Sequence, residues 1–385
     1  MTGETTRARP VAQRVAELQW GHPFEILIGA PVPTTQLAAR EAAVVEGSAV
    51  DDEALAPALT AIAQIERLRR GVHDAVSTST LTTAGLDEWE ETVIRHGQAT
   101  RYRPAGLLLG ELAADFVELQ RVLARQHTSS ALRRLTRTTA QMAGLMFLTL
   151  IKLNAPVAAR NWARTARIAA DEADDPAVRS WVRAQEAYVH YYAGNLAEAV
   201  AVARHAQTLA GTTVCVGLPL AAALEGRAWA TMGQEQEARA ALARAEAAVS
   251  ALDPDALLPS AFGYNEAQLR FHEGNALTQL HDAQAARTAH DRAVALYPSN
   301  DYLDRTLVEL DRASCLIYDG DVDAAMTHAT RILVALSDEQ RHGLILLRGR
   351  QLYHSLRPDH RVLPAARDFH TLLMTNADAD GTYAS

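Results

Sequence analysis

His272, His281 and His290 stand nine residues apart, and imidazole is the commonest side-chain metal ligand, so metal binding is the first chemistry to test. Nine residues of continuous helix turn through roughly 900°, which sets neighbours on opposite faces. A turn expected at His281 separates them further, and His290 falls where a helix packs inward, as a core histidine. The stretch HEGN, 272–275, opens like the H-E-x-x-H zinc motif and lacks its second histidine. DEWEE, 87–91, has the acids for proton transfer or a divalent ion, yet acids also favour a helix N-terminus through its dipole, and that reading is preferred. No phosphate loop ending in Gly-Lys, no G-x-G-x-x-G after a strand and no G-x-S-x-G elbow occurs. No catalytic residue, metal or cofactor is assigned.

Binding chemistry is better represented. In WVRAQEAYVHYY, 181–192, Trp181, Ala184, Tyr188 and Tyr191 recur at helical spacing and form one stripe. Aromatic rings in a groove suit a peptide or an apolar small molecule, because they contribute area with few rotamers to freeze. The competing reading packs the same rings between helices, and it is preferred for Tyr192. Arg227, Asn275 and Tyr318 hold related positions further along. An asparagine both donates and accepts, as a peptide backbone does, and an arginine holds a carboxylate bidentately. The candidate ligand-binding set is therefore Trp181, Tyr188, Tyr191, Arg227, Asn275 and Tyr318.

These residues need a scaffold with a regular frame. Taking Gly194 as a turn between two helices, related turns fall at Asn154, Gly233, His281 and Gly320, with spacings of 40, 39, 48 and 39 residues. Five residues after each stands Ala159, Ala199, Ala238, Ala286 or Ala325. Twelve after come Ala166, Ala206, Ala245, Ala293 and Ile332. Seven before come Phe147, Ala187, Gly226, Gly274 and Ala313, and seventeen after come the loop formers Asp171, Gly211, Ser250, Pro298 and Ser337. Small residues at fixed offsets let paired helices approach closely. A single pair cannot bury both of its faces, so such pairs must stack.

The unit resembles the tetratricopeptide repeat, a stacked helical hairpin of about 34 residues with small residues at fixed offsets. Residues 274–298, with Gly274, Ala286, Ala293 and Pro298, match it best. The fold expectation is all-α: a tetratricopeptide-like helical-hairpin solenoid behind an N-terminal helical bundle. Residues 1–50 are a segment to which the sequence assigns no structure, 51–130 the bundle, 131–374 the array and 375–385 a loose tail. Helices are expected at about 57–76, 84–100 and 104–126, and closing helices within 342–374. The insertion DPDALLPS, 253–260, lengthens one connection.

Composition agrees. Of 385 residues, 48% are hydrophobic and 75 are alanine, the residue least costly to hold in a helix. Two cysteines make no disulfide framework, and no run of about 18 apolar residues exists. A cytoplasmic protein without a membrane partner is expected. The net charge of −9 gives no basic footprint for nucleic acid. Lys152 is the only lysine beside 36 arginines, which is read as base composition of the coding DNA and given no function.

LDEWEETVIRHGQATRYRPAGLLLGELAADFVELQRVLARQ, 86–126, and NWARTARIAADEADDPAVRSWVRAQEAYVHYYAGNLAEAVAVARHAQTLAG, 161–211, resemble the C-terminal sensor part of actinobacterial Xre-type transcriptional regulators. The likeness extends over about residues 80–340. It implies a helical linker and a tetratricopeptide-like array that senses a ligand or partner, joined in that family to a helix-turn-helix reader. Such a reader needs a second helix with basic or amide side chains, and TTQLAAREAAVVEGSAV, 34–50, lacks one, so direct DNA binding is not expected. In architecture alone the chain is also similar to the peptide-controlled Rap-type regulators of Firmicutes, which act on other proteins. The leading expectation is a regulatory or adaptor protein whose groove binds a peptide, small molecule or protein partner, with a homodimer left open. The alternative is a specialised-metabolism enzyme using the array as a reaction chamber, closed by a lid around Trp20, His22 and Phe24.

Overall fold

The computed structural model describes residues 82–375. The expected helix at 57–76, the segment 1–50 with Trp20, His22 and Phe24, and most of the tail lie outside the described residues. Among the described residues there are fourteen α-helices and no strand, so the all-α expectation holds. Two compact units divide them, one with residues 82–86 and 106–131, the other with 87–105 and 132–375. The first is essentially α2 (Ala105–Leu123), whose Leu108, Leu112 and Leu119 form a buried stripe.

The second unit opens with α1 (Thr83–Tyr102), which the sequence frame had grouped with the bundle. It continues through α3 (Ser129–Lys152), α4 (Pro156–Ala173), α5 (Pro176–Tyr192), α6 (Leu196–Ala210), α7 (Gly217–Thr231) and α8 (Glu235–Ser250). Beyond the 253–265 loop come α9 (Glu266–Gln279), α10 (Ala283–Leu296), α11 (Tyr302–Tyr318), α12 (Val322–Val334), α13 (Leu344–His354) and α14 (Pro364–Thr375). The pairs α5/α6, α7/α8, α9/α10 and α11/α12 are packed hairpins. Their first helices α5, α7, α9, α11 and α13 also pack on one another in succession, making one continuous layer.

The five turns in the sequence frame are all sharp, left-handed turns of the fold. Asn154, Gly194, Gly233, His281 and Gly320 have φ of +57°, +77°, +73°, +60° and +87°. Each closes its helix by one pattern: the turn residue's N–H donates three residues back, and the next N–H donates five back, as in Ala155 to Leu150 and Asn195 to His190. That double bond is the Schellman cap, which satisfies carbonyls that would otherwise be orphaned. Asparagine tolerates the left-handed region and glycine has no Cβ to clash there, which explains four of the five residue choices.

The alanines of the frame are the contact points. Ala159, Ala199, Ala238, Ala286 and Ala325 are fully buried, as are Ala166, Ala206, Ala245 and Ala293. Ile332 is half-buried and its neighbour Leu333 takes the inward place. Volume is also matched across two of the hairpins. A Cβ on Gly226 would stand 3.1 Å from Leu242, and one on Gly274 would stand 2.3 Å from the His290 ring. Leu242 and His290 lie nine residues after their turns. Where the first-helix position is Phe147, Ala187 or Ala313, the residue in that second-helix register is Ala163, Ala203 or Ala329. In the Gly226–Leu242 and Gly274–His290 pairs a large side chain fills the space that glycine leaves, while Ala187/Ala203 and Ala313/Ala329 are small on both sides.

The 253–265 insertion is ordered. Its turn Pro254–Leu257 leads into backbone bonds from Tyr264 to Ala256 and from Ala261 to the Gly97 carbonyl, both 2.8 Å. It thereby pins α1 against the array. Of the expected loop formers, Asp171 sits inside α4, whose helix runs on to a left-handed Asp174, while Gly211 adopts φ +56° at its expected stop.

Candidate ligand-binding groove

α5 starts cleanly because Asp175 accepts from the Ala177 and Val178 amides and Pro176 fills the first turn, where a missing N–H does no harm. Its last turns aim Tyr188, Tyr191 and Tyr192 across the first-helix layer. The neighbouring first helices contribute Arg227 on α7, Phe271, His272 and Asn275 on α9, Asp311 on α11 and Arg348 on α13. α9 is held by a reciprocal capping box between Asn265 and Gln268.

These residues form a buried relay. Arg227, 1% exposed, donates from Nε to Asn275 Oδ1 at 2.7 Å. Asn275 Nδ2 donates to Asp311 Oδ2 at 2.7 Å, and Arg348 Nη2 donates to Asp311 Oδ1 at 2.6 Å. The Tyr191 hydroxyl adds a bond to Asn275 Oδ1 at 3.1 Å. The Arg227 guanidinium lies 4.5 Å from the Tyr191 ring centre, 5.2 Å from Phe271 and 5.7 Å from Tyr192. Ring quadrupoles thus replace part of its lost hydration. Two cations and one carboxylate leave this relay with an excess positive charge inside an acidic chain.

Above the relay runs a groove of about 340 Å³ whose wall includes Tyr191, Tyr192, Thr231, Gln279, Tyr318 and Arg348. Tyr192, Thr231, Gln279 and Tyr318 share one register, two residues before their turns. The groove presents phenols, an amide, a hydroxyl and a guanidinium along one line, enough to hold a polar chain by hydrogen bonds and stack its apolar parts. Tyr318 is 41% exposed, with its ring 4.3 Å from that of His281.

Next to the groove, sharing Tyr192 with it, is a smaller pocket of about 70 Å³. Lys152, Arg101, Asp304, Gln185, Gln268, Tyr188 and His272 contribute to its polar wall, and leucines and Phe271 to its apolar one. Lys152 Nζ donates to the Thr100 carbonyl at 2.5 Å. Arg101 pairs with Asp304 at 3.0 Å and Asp301 at 3.2 Å. Burial pulls the Lys152 amine down to about 8, Asp304 opposing and Arg101 reinforcing the shift. Burial, aided by Asp304, lifts the Asp301 carboxyl to about 6. Burial and the nearby Arg227 and Arg101 charges hold His272 well below its ordinary range, so it is a neutral imidazole, 3.1 Å from the Tyr188 hydroxyl.

Four of the six sequence-derived residues converge: Tyr191 and Asn275 bond directly, Arg227 joins them, and Tyr188 lies on the same helix beside Tyr192, rings 5.9 Å apart. Tyr318 lies on the groove wall with Arg348. Trp181 stands apart, 4% exposed, its ring against Phe262 and its Nε1 donating to the Ala261 carbonyl at 2.8 Å. Tyr192, read as interhelical packing, has its ring on both the groove and the cavity. Lys152, Thr231, Gln279, Asp311 and Arg348 were not singled out. The first three occupy the register of Tyr192 and Tyr318, and comparing that register across all turns would have found them.

A larger cleft of about 720 Å³ lies between α8, α9 and α10. Its charges answer one another: Arg270 pairs with Glu246 and Glu273, and Arg292 with Glu266. It is a solvated, self-paired surface. Among the described residues no group of three His, Cys, Asp or Glu side chains is placed to hold a metal ion, and no helix is long and apolar enough to cross a membrane. Comparison of the chain with family models, curated proteins and solved structures gives no match.

Proposed function

We propose that this protein is a tetratricopeptide-like regulatory or adaptor protein that binds a peptide, small molecule or protein partner in the groove along its first-helix layer. What carries the reading is that four successive first helices offer their register-matched Tyr192, Thr231, Gln279 and Tyr318 to one groove, as a surface built for an extended ligand would. The buried relay below supports it: Arg227 and Asp311 on separate hairpins are joined through Asn275, so a ligand that moves one hairpin is felt by the next. The link to transcription rests on the resemblance to Xre-type regulators, and the cytoplasmic location on the two cysteines and the lack of a long apolar run in the sequence. That likeness also makes ligand sensing, rather than turnover, the preferred activity.

The test blocks the groove without disturbing the core. Ser314, half-buried on the groove wall, is replaced by Trp, and the tagged protein is recovered from cells with any bound peptide, metabolite or protein identified by mass spectrometry. A stoichiometric ligand carried by the wild type and lost from a Ser314→Trp protein of unchanged melting temperature supports the proposal. A ligand retained by the blocked protein refutes it.

A further inference from the structure

The chain uses arginine at 36 of its 37 basic positions and lysine once, at Lys152. That one amine lines this small cavity, at the end of α3 and in the register of the groove residues. Arginine stays charged and is no nucleophile at neutral pH, whereas a lysine amine next to another cation and out of water becomes neutral and attacks carbonyl carbon.

The rest of the wall matches that chemistry. Arg101 Nε, Gln185 Oε1 and His272 Nδ1 are buried atoms of cavity-lining residues that make no hydrogen bond, a costly arrangement for three polar groups around one space. Gln185 and His272 are only 5% and 1% exposed. A carbonyl oxygen needs donors such as Arg101 Nε–H and His272 Nδ1–H, and the hydroxyl it becomes needs an acceptor such as Gln185 Oε1. The Tyr188–His272 pair, 3.1 Å apart, supplies a neutral proton-sharing couple. The volume of about 70 Å³ is roughly twice a water's ~30 Å³ share of the liquid, the scale of the smallest carbonyl compounds.

We propose that this cavity is a carbonyl-binding site in which Lys152 captures a small aldehyde or ketone as a reversible imine. The amine nitrogen adds to the carbonyl carbon and opens the C=O π bond. One proton passes from nitrogen to oxygen to give the carbinolamine. The C–O bond then breaks as nitrogen's lone pair forms C=N, and the oxygen leaves as water with a second proton from nitrogen. No electrons are exchanged with a third party, and hydrolysis runs the steps backwards. Burial of the amine near Arg101, which brings it to about 8, leaves about a tenth of it neutral at pH 7, against an unfolded lysine about 300-fold less neutral. The inference stands apart from the groove reading, since its readout is chemistry at Lys152.

The full chain is exposed to acetaldehyde or acetone, reduced with cyanoborohydride and mapped by mass spectrometry, native and unfolded in urea. Because the labelled residue is the readout, no variant has to fold. The expected result is labelling of native Lys152 at pH 7 at least tenfold faster than in the unfolded chain, with a rate that saturates in carbonyl concentration. Benzaldehyde, too large for the cavity, is expected to show no such enhancement. Native labelling no faster than in urea, a rate linear in concentration, or an equal enhancement with benzaldehyde would overturn the proposal.

Discussion

Replacing Asn275 by alanine tests the relay most directly. The side chain is 1% exposed and makes three bonds: it accepts from Arg227 Nε at 2.7 Å and Tyr191 Oη at 3.1 Å, and donates to Asp311 at 2.7 Å. Two of these involve charged partners, worth about 1.5–3 kcal/mol each, and the third about 1 kcal/mol. Alanine removes all three and leaves a guanidinium edge and a carboxylate oxygen without their bridge. Breaking a buried charge network from one side costs about 3–5 kcal/mol, so Asn275→Ala is expected to lose that much, against about 1 kcal/mol for Tyr191→Phe. Urea denaturation followed by far-UV circular dichroism measures both. Because Asn275 links α7 to α11 through α9, loss of the bridge is also expected to lower the denaturant slope, as hairpins on either side begin to unfold separately. If Asn275→Ala falls within 1 kcal/mol of Tyr191→Phe with an unchanged slope, the relay is not what couples the hairpins.

Two further outcomes follow from the same packing and charge. Gly274→Ala places a Cβ 2.3 Å from the His290 ring and is expected to cost about 1–3 kcal/mol as overpacking; in a double-mutant cycle with His290→Ala most of that cost disappears, and strictly additive effects would refute the large-opposite-small rule. His272 stays neutral when folded and has an ordinary value near 6.5 when unfolded, so below about pH 6.5 the unfolded chain binds the extra proton and the fold loses about 1.4 kcal/mol per pH unit. His272→Gln lacks this loss, so the stability gap between it and the wild type is expected to shrink by about 2 kcal/mol from pH 7 to 5. A gap that stays constant would mean that His272 takes its proton in the folded state.

The frame of the fold was legible because its signals are local. A left-handed turn selects Gly or Asn, and close helix contact selects Ala or Gly, so turns at Asn154, Gly194, Gly233 and Gly320 and the alanines five residues on could be read without any knowledge of what packs where. His281 entered only by its place in the repeat. The site was less legible because its bonds join residues far apart in sequence: Arg227 and Asn275 are 48 residues apart, and Asp311 another 36. Their shared phase put Tyr188, Arg227 and Asn275 on one list, and nothing in that phase pointed to Asp311 or Arg348. Trp181 illustrates the converse. It shares the helical stripe of Tyr188, yet lies two turns nearer the helix start, where Gly144 and the 253–265 loop close over it; a helical stripe reports a face, and the depth along that face decides between groove and core.

The position of Lys152 reverses the reading that composition alone gives it. A bias toward arginine explains why lysine is rare in this chain, and it makes no prediction about where a lysine should stand. Scattered without function, one exception would fall most often on a solvated helix face, where Lys and Arg exchange at little cost. Instead it stands at the register of Tyr192 and Tyr318, against the Thr100 carbonyl, in a cavity it shares with Arg101 and Asp304. Guanidinium is larger and always charged, so Lys152→Arg must either push a planar cation into about 70 Å³ of space or displace Tyr188 and Tyr192 from its wall. That substitution is therefore expected to carry its effect upward, since Tyr192 also forms part of the groove. A Lys152→Arg protein that melts like the wild type and keeps an unaltered groove would mean that the lysine is there by accident of composition after all.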